Sequence, residues 1–469
     1  MRYTVMLQAV TKAINAALAK DITPCISSDM GMAIELWAAM YADTPPWLSC
    51  KKGIESAGLS AGISAEVARL VTIEMQAKAA DEAVDAILQR LVDGIHVPTE
   101  HACALGGVLF KPYKTGSGIE MQYIRADRFF PLGFDSSGNI SECVLVEQAY
   151  ASKSIYTRLE YYSLAEKRVY NLAYRNRNYA GAVTLGSPIA LTDYPAWADL
   201  RPEAELKTDK LPFGYFKIPT ANNIDPDFPL GLSVFARAVT LIKEADKKYS
   251  NINWEYEAKQ AAVHIAASLL KRNESTGDFE YPGGQERLYR TLEYNLGATD
   301  KPLIDTFSPD IRADDLYKGY QEQLKMIEFT CGLAYGTLSD PQQTDKTATE
   351  IRSSKQRLYV TVSSIQKALE NALNDTAAAI AYWLGRPAPT VTYTWDDSIV
   401  VDSEALSRQA LLELQSGVID NVEYYKRVYG MDEADALKLA QDIAARSPAP
   451  KDADFFSDGD GDGSDGDGE

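Results

Sequence analysis

The residues with the most suggestive spacing lie near the end of the chain. Asp458, Asp460, Asp462 and Gly463, with Glu469 at the twelfth position, satisfy the spacing of a calcium-binding EF-hand loop. Such a loop works between two helices and normally carries an apolar residue at position eight. Here position eight is Asp465, and Pro448 and Pro450 precede the loop. Lys451 to Glu469 holds seven Asp, one Glu and one Lys, so composition alone meets the spacing. Residues 448–469 are expected to be a disordered, solvated acidic tail. His96, His101 and Cys103 form the one local cluster of soft metal ligands, but H-x4-H-x-C fits no common zinc pattern. A structural role is expected there, with no metal and no cofactor. The chain has three histidines and no G-x4-G-K-[ST] phosphate loop. Carboxylate pairs such as Asp314-Asp315 and Asp396-Asp397 could serve an acid-catalysed hydrolase. In an acidic chain they read first as solvated faces or helix starts that favour negative charge. No catalytic residue is assigned, and the chain is expected not to be an enzyme.

The bulk numbers narrow the classes further. A length of 469 residues suggests two to four packed units, and 46% hydrophobic with 24% charged residues is a globular composition. No run approaches the roughly 20 apolar residues that span a bilayer. Met1 to Lys20 reads as a helix rather than a signal peptide. Five scattered cysteines without a CxxC point to a reducing compartment. The 66 acidic and 47 basic residues give a net charge of −19. That balance disfavours wrapping nucleic acid, whose affinity comes from Lys and Arg. It leaves room for a protein that lets DNA slide past without holding it.

Periodicity outlines the elements. Residues 1–115 read as mainly helical, with Val67 to Leu91 keeping its apolar residues largely to one helical face. Glu120 to Tyr174 changes to an antiparallel meander, broken at Asp135-Ser-Ser-Gly-Asn139. Gly181 to Leu230 is loop-rich and punctuated by proline. Helical spacing returns from Gly231. Residues 260–310 carry an apolar run (Val263 to Leu270), a Pro282-Gly-Gly284 turn and an expected helix over Glu286 to Leu296. Ser308-Pro309-Asp310 reads as the start of a helix bearing Leu316, Tyr320, Leu324, Ile327 and Cys331 on one face. The polar Tyr335 to Thr344 ends it. Thr347 and Glu350 then have capping-box spacing, and no Gly or Pro intervenes until Gly385. At 1.5 Å per residue that helix would be roughly 55 Å long. An alternating strand, Thr390 to Trp395, and two helices, Ser403 to Gln415 and Val422 to Ala445, complete the order.

Several phrases, taken in order, resemble the portal proteins of tailed bacteriophages, especially the siphophage subgroup from Gram-positive hosts. They are Ile34-Glu-Leu-Trp37 with Met40-Tyr41, Ile124-Arg-Ala-Asp-Arg-Phe-Phe-Pro131, and Phe213-Gly-Tyr-Phe-Lys-Ile-Pro219 with Asn222-Asn-Ile-Asp225. Pro229-Leu-Gly-Leu-Ser-Val-Phe235 and Thr347-Ala-Thr-Glu-Ile-Arg352 complete the set. The resemblance covers nearly the whole chain apart from the acidic tail.

It implies an α+β, mainly helical portal fold with wing, stem, clip and crown and one very long helix. By position, 1–230 would be wing, 231–259 and 310–334 the stem helices, and 260–309 the clip. Residues 335–346 would be the tunnel loop, 347–402 the long wing helix with its returning strand, and 403–447 the crown. It further implies a homo-oligomeric ring, usually of twelve subunits, at one capsid vertex of the virion, assembled in the host cytoplasm. Double-stranded DNA would pass through without sequence-specific contact. The terminase large subunit, head-completion or adaptor proteins, and major capsid and scaffolding proteins would be partners; a membrane would not. Ser339, Gln342, Gln343, Thr344 and Lys346 would face the DNA channel from the tunnel loop. Lys318 and Lys325 are stem candidates for lining it, or simply balance neighbouring acids. The alternative is another ring-forming phage connector or head component.

Overall fold

The structure, a computed structural model, describes residues 3–48, 53–73, 75–177, 184–259, 262–266, 270–272, 279–280, 289–292, 304–307, 310, 312–341, 348–395 and 403–446. About half of these are helical. The chain divides into two units, Met1–Asp396 and Asp397–Glu469.

The first unit opens with α1 (Tyr3–Leu18), α2 (Ser28–Tyr41) and α3 (Leu59–Thr72). Then come β1 (Gln76–Ala79), α4 (Glu82–Asp93) and α5 (His96–Leu105). The helical continuity expected from Val67 to Leu91 is therefore broken. Gln76–Ala79 is extended because it pairs antiparallel with a distant strand, β16 (Val391–Thr394). Asp81 restarts the helix by accepting hydrogen bonds from the Ala83 and Val84 amides. Local period alone could not reveal a partner more than 300 residues away.

Residues 107–115, expected to be helical, instead form β2 (Gly107–Thr115), the centre of a small sheet. It pairs antiparallel with β3 (Gly118–Arg125) and with β10 (Gly214–Lys217). The meander is β4 (Phe129–Phe134), β5 (Ile140–Ala151), β6 (Ser154–Ser163) and β7 (Arg168–Asn176), each antiparallel to the next. Two short strands, β8 (Ser187–Ile189) and β9 (Glu203–Glu205), pair with different stretches of β7. The strand alternation splits the burial. Val144, Val146, Leu159 and Tyr161 join the main core, whereas Cys143, Leu145 and Tyr162 pack with Leu206 and Phe213 in a second cluster.

A buried ionic cluster ties the two sheets together. Lys111 on β2 donates to Glu160 on β6, and Arg158 forks onto Glu147 at 3.0 and 2.7 Å. Burial pushes the Glu160 carboxyl up, but the Lys111 and Arg158 cations more than offset it and hold it at about 2. Trp197 closes the cluster, its indole N–H donating to Glu147.

The helical pair expected after Gly231 is α6 (Val239–Ala258) and α7 (Ala313–Cys331). The second starts later than the Ser308-Pro309 signal suggests; Ser308 and Pro309 lie outside the described residues, and Arg312 at the N-cap makes no side-chain cap. Between the helices lie β11 (Ala262–Ala266), β12 (Lys271–Arg272), β13 (Phe279–Glu280), β14 (Tyr289–Leu292) and β15 (Ile304–Phe307). Here the helix expected over Glu286 to Leu296 gives way to β14, which pairs parallel to β11. The β-branched and aromatic residues of Tyr289-Arg-Thr-Leu292 suit a strand once that neighbour is present.

The longest helix is α8 (Ala348–Leu384), of 37 residues. Leu369, Ala372, Leu373, Ala377 and Ile380 are buried against the small sheet and the N-terminal helices. The approach to β10 is close. A Cβ on Gly214 would stand 2.1 Å from the Ala372 carbonyl oxygen and 2.2 Å from Thr376 Oγ1, so only glycine fits. Arg386, just past the helix, donates to both oxygens of Asp81 at 2.8 and 2.7 Å, tying the helix end to the start of α4.

The second unit comprises α9 (Ser403–Gln415), α10 (Asn421–Tyr429) and α11 (Glu433–Arg446). The single helix expected over Val422 to Ala445 is split at Gly430, whose φ of +64° ends α10 in a left-handed turn. Arg427 joins Glu413 and Glu423 at 3.0 and 2.9 Å.

The phrases that carry the resemblance occupy core and turn positions. Trp37, Met40, Phe129, Phe130, Phe216 and Phe235 are buried. The Asn222 side-chain oxygen accepts from the Ile224 and Asp225 amides, and Asp225 in turn accepts from the Ser27 amide. Among the described residues no helix is long and apolar enough to cross a membrane.

Candidate functional site

The segment that follows α7, described as far as residue 341, is held by a specific polar framework. Its foundation is the antiparallel pair α6 and α7, whose apolar stripe brings Ile242 and Ala245 together with Leu324 and Ile327. Polar groups set the register. Lys248 Nζ donates to the Gly319 carbonyl and to Gln323 Oε1, both at 3.0 Å, and Gln323 donates back to the Leu241 carbonyl at 3.1 Å. At the far end Arg312 forks onto Glu255 at 3.2 and 3.1 Å, and Lys259 reaches the same carboxylate at 2.8 Å. Hydrogen bonds from Arg312 and then Lys259 hold the Glu255 carboxyl at about 2. Asp246 has the opposite balance. It accepts from the Trp47 indole and the Ala57 amide, yet burial pushes its carboxyl up.

At the loop end, α7 closes on Gly332 with φ +73°, and the chain turns under α8. A Cβ at Gly332 would meet Thr361 Oγ1 at 2.5 Å, which leaves no room for a side chain. Glu328, fully buried one turn earlier, organises the backbone of residues 336–339. Its Oε1 accepts the amides of Gly336, Leu338 and Ser339 at 3.1, 2.6 and 2.8 Å, and its Oε2 accepts the Ser339 hydroxyl at 2.9 Å. Gln321 adds a 2.7 Å acceptor for the Asp340 amide. A buried anion surrounded by four donors fixes the root of the loop, because freeing any of those amides would leave it unpaired. From the other side Arg357 of α8 lays its guanidinium over Phe329 and Tyr335, 4.5 and 5.5 Å from the ring centres.

Of the loop residues singled out from sequence, Gln342, Gln343, Thr344 and Lys346 lie outside the described residues. Ser339 is buried and its hydroxyl is spent on Glu328. Lys318 is exposed on α7 and makes no ion pair among the described residues, whereas Lys325 pairs with Glu322 at 2.6 Å. Thr347 and its capping box also fall outside the described residues, as does the acidic tail with its EF-hand-like spacing. Glu328 and Gln321, the two anchors, are not apparent from sequence. The available signal was polarity inside an apolar stripe: Gln321 and Glu328 alternate with Leu324 and Cys331 at three- and four-residue steps.

Other chemistry-bearing residues have packing roles. Cys103 is buried and burial pushes its thiol up. His101 is pulled down by burial and stands edge-on to Tyr41, while His96 faces Thr72. Among the described residues no three His, Cys, Asp or Glu side chains gather into a metal site. Gly58-Leu-Ser-Ala-Gly62 has the spacing of a G-x-S-x-G nucleophile elbow. Ser60 is buried in the first turn of α3, and no strand of the described sheets leads into it, so it does not present a nucleophile.

No curated protein matches the chain. Among solved structures, a chain from the neck of a native GTA particle, computed with C12 symmetry, aligns over 89% of this chain and 98% of its own. The identity is 13% and the TM-score 0.45, too low for the likeness to carry weight. The family described as "Phage portal protein, SPP1 Gp6-like" matches residues 71–448. That match runs from the end of α3 through α11, far more than half the sequence, and the chain belongs to the SPP1 Gp6-like family of phage portal proteins.

Proposed function

We propose that this chain is the subunit of a ring, of twelve copies, at one vertex of a phage capsid. Double-stranded DNA would enter and leave through its central channel. The observation that carries the reading is the family membership, joined to a polar loop whose root is fixed by a buried carboxylate. In this reading 1–230 and 347–402 form the wing, and α6 and α7 belong to the stem (231–259 and 310–334). Residues 260–309 form the clip that meets the terminase large subunit and later the head-completion or adaptor protein. Residues 335–346 are the tunnel loop, 403–447 the crown, and capsid and scaffolding proteins surround the wing. The role is structural, and the location is the virion.

The physical logic is one of weak contact. Phosphate neutralised by many cations would hold DNA fast, and a translocating duplex needs contacts that form and break cheaply. Gln342, Gln343, Thr344 and Lys346 supply neutral hydrogen-bonding groups and a single charge. The anchor at Glu328 would let such a loop lean on DNA without losing its root.

The test joins assembly to transport. Native mass measurement should find a species near twelve times 51.6 kDa, and negative-stain images should show a central hole. Replacing 342–346 by a glycine-serine linker keeps the Glu328 anchor and should leave rings intact while DNA packaging falls. Packaging that survives the replacement would remove 342–346 from the channel; a monomer at all concentrations would remove the ring itself.

A further inference from the structure

One end of the meander gathers cations in an acidic chain. Arg175 and Arg177 line an open cleft of about 840 Å³, with Ser187, Ile189 and Asp193 in the same lining. The Arg175 Nε donates to Ser154 Oγ at 3.2 Å, and its guanidinium lies 5.3 Å from the centre of the Tyr156 ring. Neither contact cancels its charge. Arg177 is exposed and makes no ion pair among the described residues. Ile155 pairs with Asn176, which brings the β5–β6 turn and its exposed Lys153 to the same end of the sheet. Asp193, the acid in the lining, accepts the Ala190 amide at 3.1 Å and pairs with neither arginine. Residues 178–183, which follow directly, are Asn-Tyr-Ala-Gly-Ala-Val and contain no acid.

Like charges held side by side repel, and an anion with matching spacing relieves both at once. Arg175 and Arg177 are two residues apart along extended backbone, so they share a face and repeat at roughly 6.6 Å. The complementary pattern is present in the same sequence. Asp458, Asp460 and Asp462 alternate with glycine, and in an extended peptide they too share a face at roughly 6.6 Å. Guanidinium and carboxylate form the stronger, charge-assisted class of hydrogen bond. Past α11, which ends at Arg446, the chain has 23 further residues, a reach of roughly 75 Å when extended. The net charge of −19 opposes the approach only at short range, since it is screened beyond about 8 Å at physiological salt.

We propose that this cleft is the docking site of the acidic segment 458–462 of the chain, with successive aspartates set against Arg175 and Arg177. Lys153 stands at the same end of the sheet and adds a third cation to the site. A segment held there competes with nucleic acid for the same guanidinium groups, so it keeps them from seizing phosphate. The proposal goes beyond the conduit reading and does not need it, because the cleft and the segment belong to the chain whether or not copies assemble.

The experiment treats the full chain with a carbodiimide, which joins a carboxylate to a neighbouring lysine amine, and maps the links by mass spectrometry. Links from residues 452–469 should favour Lys153 over the exposed Lys207 and Lys318 by at least about fivefold, the size expected of two exposed ion pairs acting together. That preference should vanish at about 0.5 M salt, where screening reaches down to a few ångströms. It should also vanish in Arg175→Gln/Arg177→Gln. Should the arginine variant misfold, Asp458→Asn/Asp460→Asn/Asp462→Asn decides, because it alters no described contact and should abolish the preference equally. Links spread evenly over the exposed lysines overturn the proposal. A preference for Lys153 that survives both sets of substitutions also overturns it. Should Lys153 take no link from 452–469 and be shielded instead by an added DNA duplex, the cleft takes phosphate and the proposal fails. None of these outcomes depends on ring assembly, so the conduit reading stands or falls separately.

Discussion

Glu328 shows how one side chain can set a loop that its own sequence does not order. In residues 335–340, which include Gly336, three backbone amides converge on one carboxylate oxygen. Glu328→Ala would strand those amides and the Ser339 hydroxyl in a buried space. The expected loss is about 3 kcal/mol, since each unpaired buried donor costs roughly 1–3 kcal/mol and relaxation recovers part. Glu328→Gln keeps the accepting oxygen and turns an amide toward a hydroxyl that can accept, so it should cost less than about half as much. Urea unfolding measures the pair, and hydrogen exchange at 336–339 should rise sharply only in the alanine variant. Equal losses would mean that charge, not acceptance, holds the loop. This residue was not legible as an anchor because its partners are backbone amides, which look alike in every sequence. Trp37, Phe129 and Phe216 were legible as core candidates because large aromatic side chains in apolar phrases seek buried sites, and each fills one.

Among elements, those that depend on local signals were readable and those that depend on distant partners were not. The meander declared itself through alternation and its Asp135 to Asn139 turn, in which the Asp135 carboxylate accepts the Ser137 and Asn139 amides. β1 and β14 did not, because their extended form is decided by β16 and β11 across the fold. The α6–α7 pair lies between these cases: its apolar faces were plain, and its charged clamp was hidden. Glu255 is held at about 2, below the roughly 4.3 of an unfolded glutamate, by Arg312 and Lys259. A depressed carboxyl adds stability above its unfolded value, and that stability drains as pH falls toward the folded one. The clamp should therefore weaken between about pH 4.5 and 2. Glu160 acts with the same sign, and Asp246, raised by burial, opposes them. Glu255→Gln should flatten the acid limb of the stability curve and lower the melting temperature near neutral pH. An unchanged acid limb would place the titrating groups elsewhere.

For the whole molecule, charge and the proposed role pull in opposite directions, and the tension yields a sharp expectation. A net charge of −19 repels DNA at long range, while the conduit proposed for this chain must admit it. A motor can push a duplex through a repelling ring, because work replaces affinity; a binding protein has no such help. Purified rings should therefore show no measurable retention of a short duplex at physiological salt, and only weak, salt-sensitive retention at low ionic strength. Each neutralised phosphate steepens the dependence of affinity on salt by roughly one unit, so a channel lined by Lys318 of every subunit would announce itself in the slope. Lys318 is exposed and carries no ion pair among the described residues, which makes Lys318→Ala the informative comparison. If rings bind duplex DNA tightly with a steep slope that Lys318→Ala reduces, the stem is a cationic track. If both proteins bind negligibly, DNA meets an acidic wall and the polar loops alone. The acidic composition and the neutral loop sequence favour the second outcome, and a fluorescence titration at two salt concentrations separates them.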